Sequence, residues 1–158
     1  MIRVPKTKGT FHLSSTLHAP ITANGLTGEL DISSNAGEIV LRNISGSAVV
    51  SNVAGGITAS FSSVAENTPM AFSTVTGNLD ISFPPTLKAD VKATSDNGEL
   101  YSDFELRAAA GTSLPKIYKT RSGQYHVQAG AISAQISGGG IDMRFKNMVG
   151  NIYIRKNK

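Results

Sequence analysis

A short unit, glycine followed by alternating apolar residues, recurs along this 158-residue chain at near-constant intervals. It begins at Gly28, Gly37, Gly46 and Gly55, each nine residues after the last. It returns at Gly77, Gly98, Gly139 and Gly150, after steps of 22, 21, 41 and 11 residues. These steps approximate one, two or four half-turns of roughly ten residues, and a fixed period of this size marks a solenoid. The apolar pairs and triples that follow include Leu30/Ile32, Ile57/Ala59/Phe61, Leu79/Ile81/Phe83, Ile141/Met143/Phe145 and Ile152/Ile154. Period two describes a strand with one buried face and one wet face. A chain that changes direction between short strands needs a corner residue, and positive φ suits glycine there. Asn24-Gly25 and Asn97-Gly98 are turn signals of the same kind.

The expected fold is all-β: a single-stranded β-solenoid or β-helix, right- or left-handed, of about seven coils of about 20 residues. Residues 1–158 form one domain by length. Stacking the coils buries their aliphatic side chains in one continuous core. Short strands at this spacing also suit a sandwich or meander. The constant phase of glycine relative to the apolar pair favours the solenoid. Ser102 to Gly111 is the longest helix-compatible stretch and supports one helical turn at most.

The ruler breaks between Gly98 and Gly139. Residues 104–130 read as an irregular excursion that rejoins the stack near Tyr125-His126-Val127. Loops on rigid scaffolds carry function more often than the scaffold does. The excursion brings Lys116, Lys119 and Arg121 together with Tyr118 and Tyr125. Those five residues are the candidate ligand-binding set. Tyr101 and Tyr153 are further candidates for stacking on a ligand, although a tyrosine is equally suited to a half-buried position.

Composition narrows the chemistry. The net charge of +4 lies largely at the ends, in Lys6, Lys8, Arg155, Lys156 and Lys158. No phosphate-binding track is evident, so no nucleic-acid partner is expected. Cysteine is absent, which excludes disulfides and thiolate ligands. His12, His18 and His126 lack metal spacing and read as surface or edge residues; no metal or other cofactor is expected. No nucleophile elbow is present. Serines such as Ser14, Ser15, Ser33, Ser34, Ser62 and Ser63 fit outward positions or turns. Asp31, Asp80 and Asp142 hold the same place in their units and would form a sparse acidic ladder if their strands shared a face. Such a ladder keeps a wall soluble, or supplies carboxylates for polysaccharide cleavage. The first residues are not a signal peptide, and no apolar run is long enough to span a bilayer as a helix.

Several motifs together resemble a bacterial adhesin-type family of domains of unknown function. They are Ile2-Arg3-Val4-Pro5, Gly28-Glu-Leu-Asp-Ile, Asn35-Ala-Gly37-Glu-Ile, Gly55-Gly-Ile-Thr-Ala, Thr76-Gly77-Asn-Leu-Asp-Ile, Gly98-Glu-Leu-Tyr-Ser-Asp103 and Gly150-Asn-Ile-Tyr-Ile-Arg155. The resemblance implies an exported or cell-envelope β-solenoid and carries no catalytic residues. The expected function is a non-enzymatic, monomeric surface module that binds a glycan or protein partner through one face. A polysaccharide-active β-helix enzyme and a structural assembly element are the alternatives.

Overall fold

The structure, a computed structural model, describes residues 8–16, 18–66, 68–108, 117–127 and 130–157. The strands are β1 (Lys8–Ser15), β2 (Ile21–Asn24), β3 (Thr27–Ala36), β4 (Ile39–Ala54) and β5 (Ile57–Val64). They continue as β6 (Met70–Thr76), β7 (Leu79–Phe83), β8 (Ala89–Asn97), β9 (Leu100–Ser102) and β10 (Arg107–Ala108). The last are β11 (Ile117–Lys119), β12 (Tyr125–Val127), β13 (Gly130–Ile136), β14 (Ile141–Val149) and β15 (Ile152–Lys156). No helix occurs among the described residues.

All 15 strands belong to one sheet. It curls over a single core because β4 bends at Asn43, a residue with φ 53°, and at Gly46 with φ 131°. The pairing slips across this bend, between Leu41 and Ser45. The bend divides the sheet into two walls. One holds β2, the first part of β4, β5, β7, β15, β9, β12 and β11. The other holds β1, β3, the second part of β4, β6, β14, β8, β13 and β10. We call them the tyrosine wall and the serine wall, after their outward rows.

Like residues stack along each wall. Ile21, Ile39, Ile57, Leu79, Ile152, Leu100 and Val127 form one buried aliphatic column. Four rings bridge the walls inside. Phe61 stacks on Phe83 at 5.4 Å and Phe72 on Phe145 at 5.5 Å, with edge contacts of 6.0 and 6.5 Å between the pairs. Offset and edge-on aromatic pairs add to the stabilisation from burial alone.

The glycine ruler resolves into two corner columns. Gly9, Gly28 and Gly46 stack where the chain enters the serine wall, and Gly37, Gly55, Gly77, Gly150 and Gly98 where it enters the tyrosine wall. A Cβ on Gly28 or Gly77 would overlap the carbonyl of the glycine stacked beside it. Gly139 belongs to neither column; its Cβ would meet Asp90 Oδ1 at 2.7 Å. It sits instead in a turn that crosses over β8.

A column of buried polar side chains lines the second glycine corner. Ser34, Asn52, Thr74, Asn147 and Ser95 are register partners in that order. Asn52 Nδ2 donates to the Gly37 carbonyl at 2.8 Å and Thr74 Oγ1 to that of Gly55 at 3.1 Å. Asn147 Nδ2 donates to the Gly77 carbonyl at 2.8 Å and Ser95 Oγ to that of Gly150 at 3.3 Å. The column satisfies carbonyls that the turn leaves without a strand partner. Ser34, expected in an outward position or a turn, points inward beside the corner and donates to the Ala36 carbonyl at 3.0 Å. Its nearness to the corner overrides its polarity.

Rung order in space departs from chain order. After β7 the chain skips one level and forms β8 and β9. The C-terminal β14 and β15 fill the skipped level, parallel to neighbours on both sides. The excursion of 104–130 is not a loose loop in its described part. It supplies β10, β11 and β12, which pair antiparallel and close one end of both walls together with β13. At Tyr125–Val127 the chain pairs antiparallel with β9.

Candidate functional site

The outward row of the tyrosine wall runs through Thr22, Val40, Thr58, Asp80, Tyr153, Tyr101, His126 and Tyr118. Each residue is one step out of phase with the aliphatic column, so it faces away from the core. The last four carry rings. Tyr153 stacks on Tyr101 at 5.3 Å, Tyr101 on His126 at 4.8 Å, and Tyr118 tilts over His126 at 6.3 Å. The rung spacing of a β-sheet sets this separation.

Both ends of the row are defined. The Arg155 guanidinium lies 5.0 Å over the Tyr153 ring while its Nε donates to Asp80 Oδ1 at 2.8 Å. Both faces of Tyr101 and Tyr153 are thus occupied. Tyr118, at the other end, is 50% exposed. Its outer face has no aromatic or cationic neighbour among the described residues.

A polar cluster flanks the rings. The Tyr101 hydroxyl donates to Glu99 Oε2, and His126 Nε2 lies 3.1 Å from the same oxygen. The Glu99 backbone N–H donates to Asn151 Oδ1 at 3.1 Å, and Asn151 Nδ2 donates to the Tyr153 hydroxyl at 3.1 Å. The bond from Tyr101, with His126 beside it, holds the Glu99 carboxyl below the usual carboxylate range. The same bond, with desolvation and the Glu99 charge, raises the Tyr101 hydroxyl above its ordinary value.

The five candidates from the sequence separate. Tyr118 joins the ring row. Lys119 and Tyr125 are register partners on the opposite side of the β11–β12 hairpin, with Lys119 Nζ 5.7 Å over the Tyr125 ring. Arg121 is exposed in the turn that joins the two strands. Lys116 lies outside the described residues. The sequence reading of His126 as a plain edge residue misses its place between two tyrosine rings. Its position directly after Tyr125 in a period-two strand was a faint signal; the partner Tyr101 lies 25 residues earlier and carries none.

The three aspartates do not share a face. Asp80 lies on the tyrosine wall, paired with Arg155. Asp31 and Asp142 lie on the serine wall, with His12 at 3.3 Å and Arg144 at 3.9 Å. Their outward positions agree with the solvating reading, but the common ladder is absent because Asp80 sits on the other side of the corner. The serine wall carries a hydroxyl row instead, Ser14–Ser33–Ser51–Ser73, continued by Lys146 and Thr94. A cavity of about 470 Å³ opens where the terminal coil enters, between Glu66, Leu87, Lys88 and Gly140. Among the described residues no group of three or more His, Asp or Glu could hold a metal ion. No helix among them is long and apolar enough to cross a membrane.

Fold and surface define a class: an all-β repeat protein whose two walls present long in-register rows to solvent. The chain belongs to the Toastrack DUF4097 family, a domain family of unknown function, which it matches over residues 21–137. No curated protein and no solved structure matches it.

Proposed function

We propose that this protein is a non-enzymatic binding module of a bacterial cell surface or envelope, an adhesin-like β-solenoid of about seven coils if the closing antiparallel layer is counted as one. It holds a glycan or protein partner along the tyrosine wall. The observation that carries this reading is the half-exposed ring of Tyr118 at the end of the row, whose outer face no aromatic or cationic neighbour covers among the described residues. A sugar ring stacks on an uncovered aromatic face, and among the described residues Tyr118 offers one while Tyr101 and Tyr153 do not. Arg121 in the adjoining turn and the Glu99–His126 pair supply polar contacts nearby. Rigid positioning lowers the ordering cost of binding.

Polysaccharide cleavage needs two carboxylates across one bond. Asp31, Asp80 and Asp142 are not register neighbours, and Asp90, the register partner of Asp142, is engaged by Gln135 Nε2 at 2.8 Å and the Gly140 N–H at 3.3 Å, which supports the non-enzymatic reading. A glycan array with the purified chain tests the proposal. Bound glycans are expected to lose about tenfold in affinity to Tyr118→Ala, in the range for a single aromatic anchor. An array without any bound glycan would sink the glycan reading. Unchanged binding by the variant would sink the site.

A further inference from the structure

The C-terminal coil is the middle member of each column it enters. Gly150 lies between Gly77 and Gly98, Asn147 between Thr74 and Ser95, and Tyr153 between Asp80 and Tyr101. Among the described strands, β6 does not pair with β8, nor β7 with β9. The levels 70–83 and 89–102 are joined through a segment that arrives last in the chain.

That segment is delivered by the crossing turn Ser137-Gly138-Gly139-Gly140. β13 and β14 pair with opposite edges of β8, so the turn steps over the start of that strand. Ser137 has φ 53°, a left-handed conformation that a residue with a Cβ adopts rarely. Gly138 and Gly139 have φ 87° and 91°. The turn is held by the Gly139 N–H to the Ile136 carbonyl at 3.1 Å and the Gly140 N–H to Asp90 Oδ2 at 3.3 Å.

We propose that residues 141–156 are an exchangeable coil, and that two copies of this chain assemble by each seating its terminal coil between levels 70–83 and 89–102 of the other. The slot and the coil are the same in closed and exchanged forms. Every ladder hydrogen bond, the Phe72–Phe145 stack and the Asn147–Gly77 bond are retained. The two forms differ only in the hinge at 137–140 and in the entropy of association, which makes exchange a low-cost route to a dimer. Extending the hinge releases Ser137 from its left-handed backbone and gives up two hydrogen bonds of the turn. Chain concentration during folding then decides the partition.

Single cysteines report the exchange, because the chain has none of its own. Ser73 and Lys146 are register partners on neighbouring strands. S73C and K146C chains are refolded together over a wide range of concentrations and treated with a short bismaleimide. A linked heterodimer of twice the 16.6 kDa chain mass is expected, rising in proportion with refolding concentration. The double variant S73C/K146C, refolded dilute, marks the link within one chain. Absence of the heterodimer at every concentration overturns the proposal. A second variant lacking Gly138, Gly139 and Gly140 leaves two Cα–Cα steps of about 3.8 Å to span about 10 Å across β8. It is expected to be a two-chain species by light scattering, and a folded monomer also overturns the proposal.

Discussion

Asn147 donates a 2.8 Å hydrogen bond to the carbonyl of Gly77, a residue 70 positions earlier. Asn147 is 1% exposed, and its neighbours in the column, Thr74 and Ser95, make equivalent bonds to the glycine corner. The bond ties the last level of the chain to a level formed much earlier. Asn147→Ala takes that donor from the part-buried Gly77 carbonyl and is expected to lower unfolding free energy by about 1–3 kcal/mol. Urea denaturation of the purified chain measures it, and an unchanged midpoint would show that the column is not stabilising.

Inside the stack, at Gly28, Gly46, Gly55, Gly77, Gly98 and Gly150, the glycine corners leave no room for a side chain. At Gly150 φ is 133°, and a Cβ would overlap the Gly77 carbonyl on the next rung. Neither strain nor clash can relax without opening the rung spacing, so Gly150→Ala is expected to destabilise by more than about 4 kcal/mol. Gly123, with φ 86° and nothing within 4 Å of its Cβ, serves as the control for strain alone. Gly123→Ala is expected to lose about 1–2 kcal/mol. Equal losses at the two positions would refute the steric account.

The four-ring cluster depends on a phenylalanine from the intercalated coil. Phe145 stacks on Phe72 and meets Phe83 edge-on. Phe145→Ala is expected to lower stability by about 3–5 kcal/mol through lost burial and a cavity. Phe145→Leu should recover more than half of that loss, because most of the volume returns. Thermal and chemical unfolding of the two variants give the comparison.

The Glu99 cluster predicts a response to acid and to base. The Glu99 carboxyl lies below its ordinary value in the folded chain, so its contribution is present above the unfolded value and lost as pH falls through the folded one. The Tyr101 hydroxyl is raised, so its contribution is complete below the ordinary tyrosine value and lost as pH rises through the folded one. Hydrogen-exchange protection factors at β12 and β9, corrected for the intrinsic rate at each pH, should fall in acid before those of the rest of the tyrosine wall. Glu99→Gln is expected to flatten that acid response. A variant with the wild-type pH profile would remove Glu99 from the account.

Much of this molecule was legible locally. Period-two alternation at Leu79–Phe83 and Ile141–Phe145 follows from one face meeting a core, and the glycines mark corners because a side chain there meets the next rung. Strand content, corner positions and the aliphatic columns come from interactions a few residues long or repeated with each rung. The order of the rungs does not. Gly139 reads in the sequence as one more unit of the ruler, yet it lies in a turn crossing β8, and β14 and β15 enter a level that earlier strands left empty. Likewise, nothing adjacent to His126 announces Tyr101, and nothing near Asp80 shows that the corner turns it away from Asp31 and Asp142. Those relations depend on which distant rungs pair, and compatible parallel ladders leave that choice open until the packing of Phe145, Asn147 and Gly150 settles it.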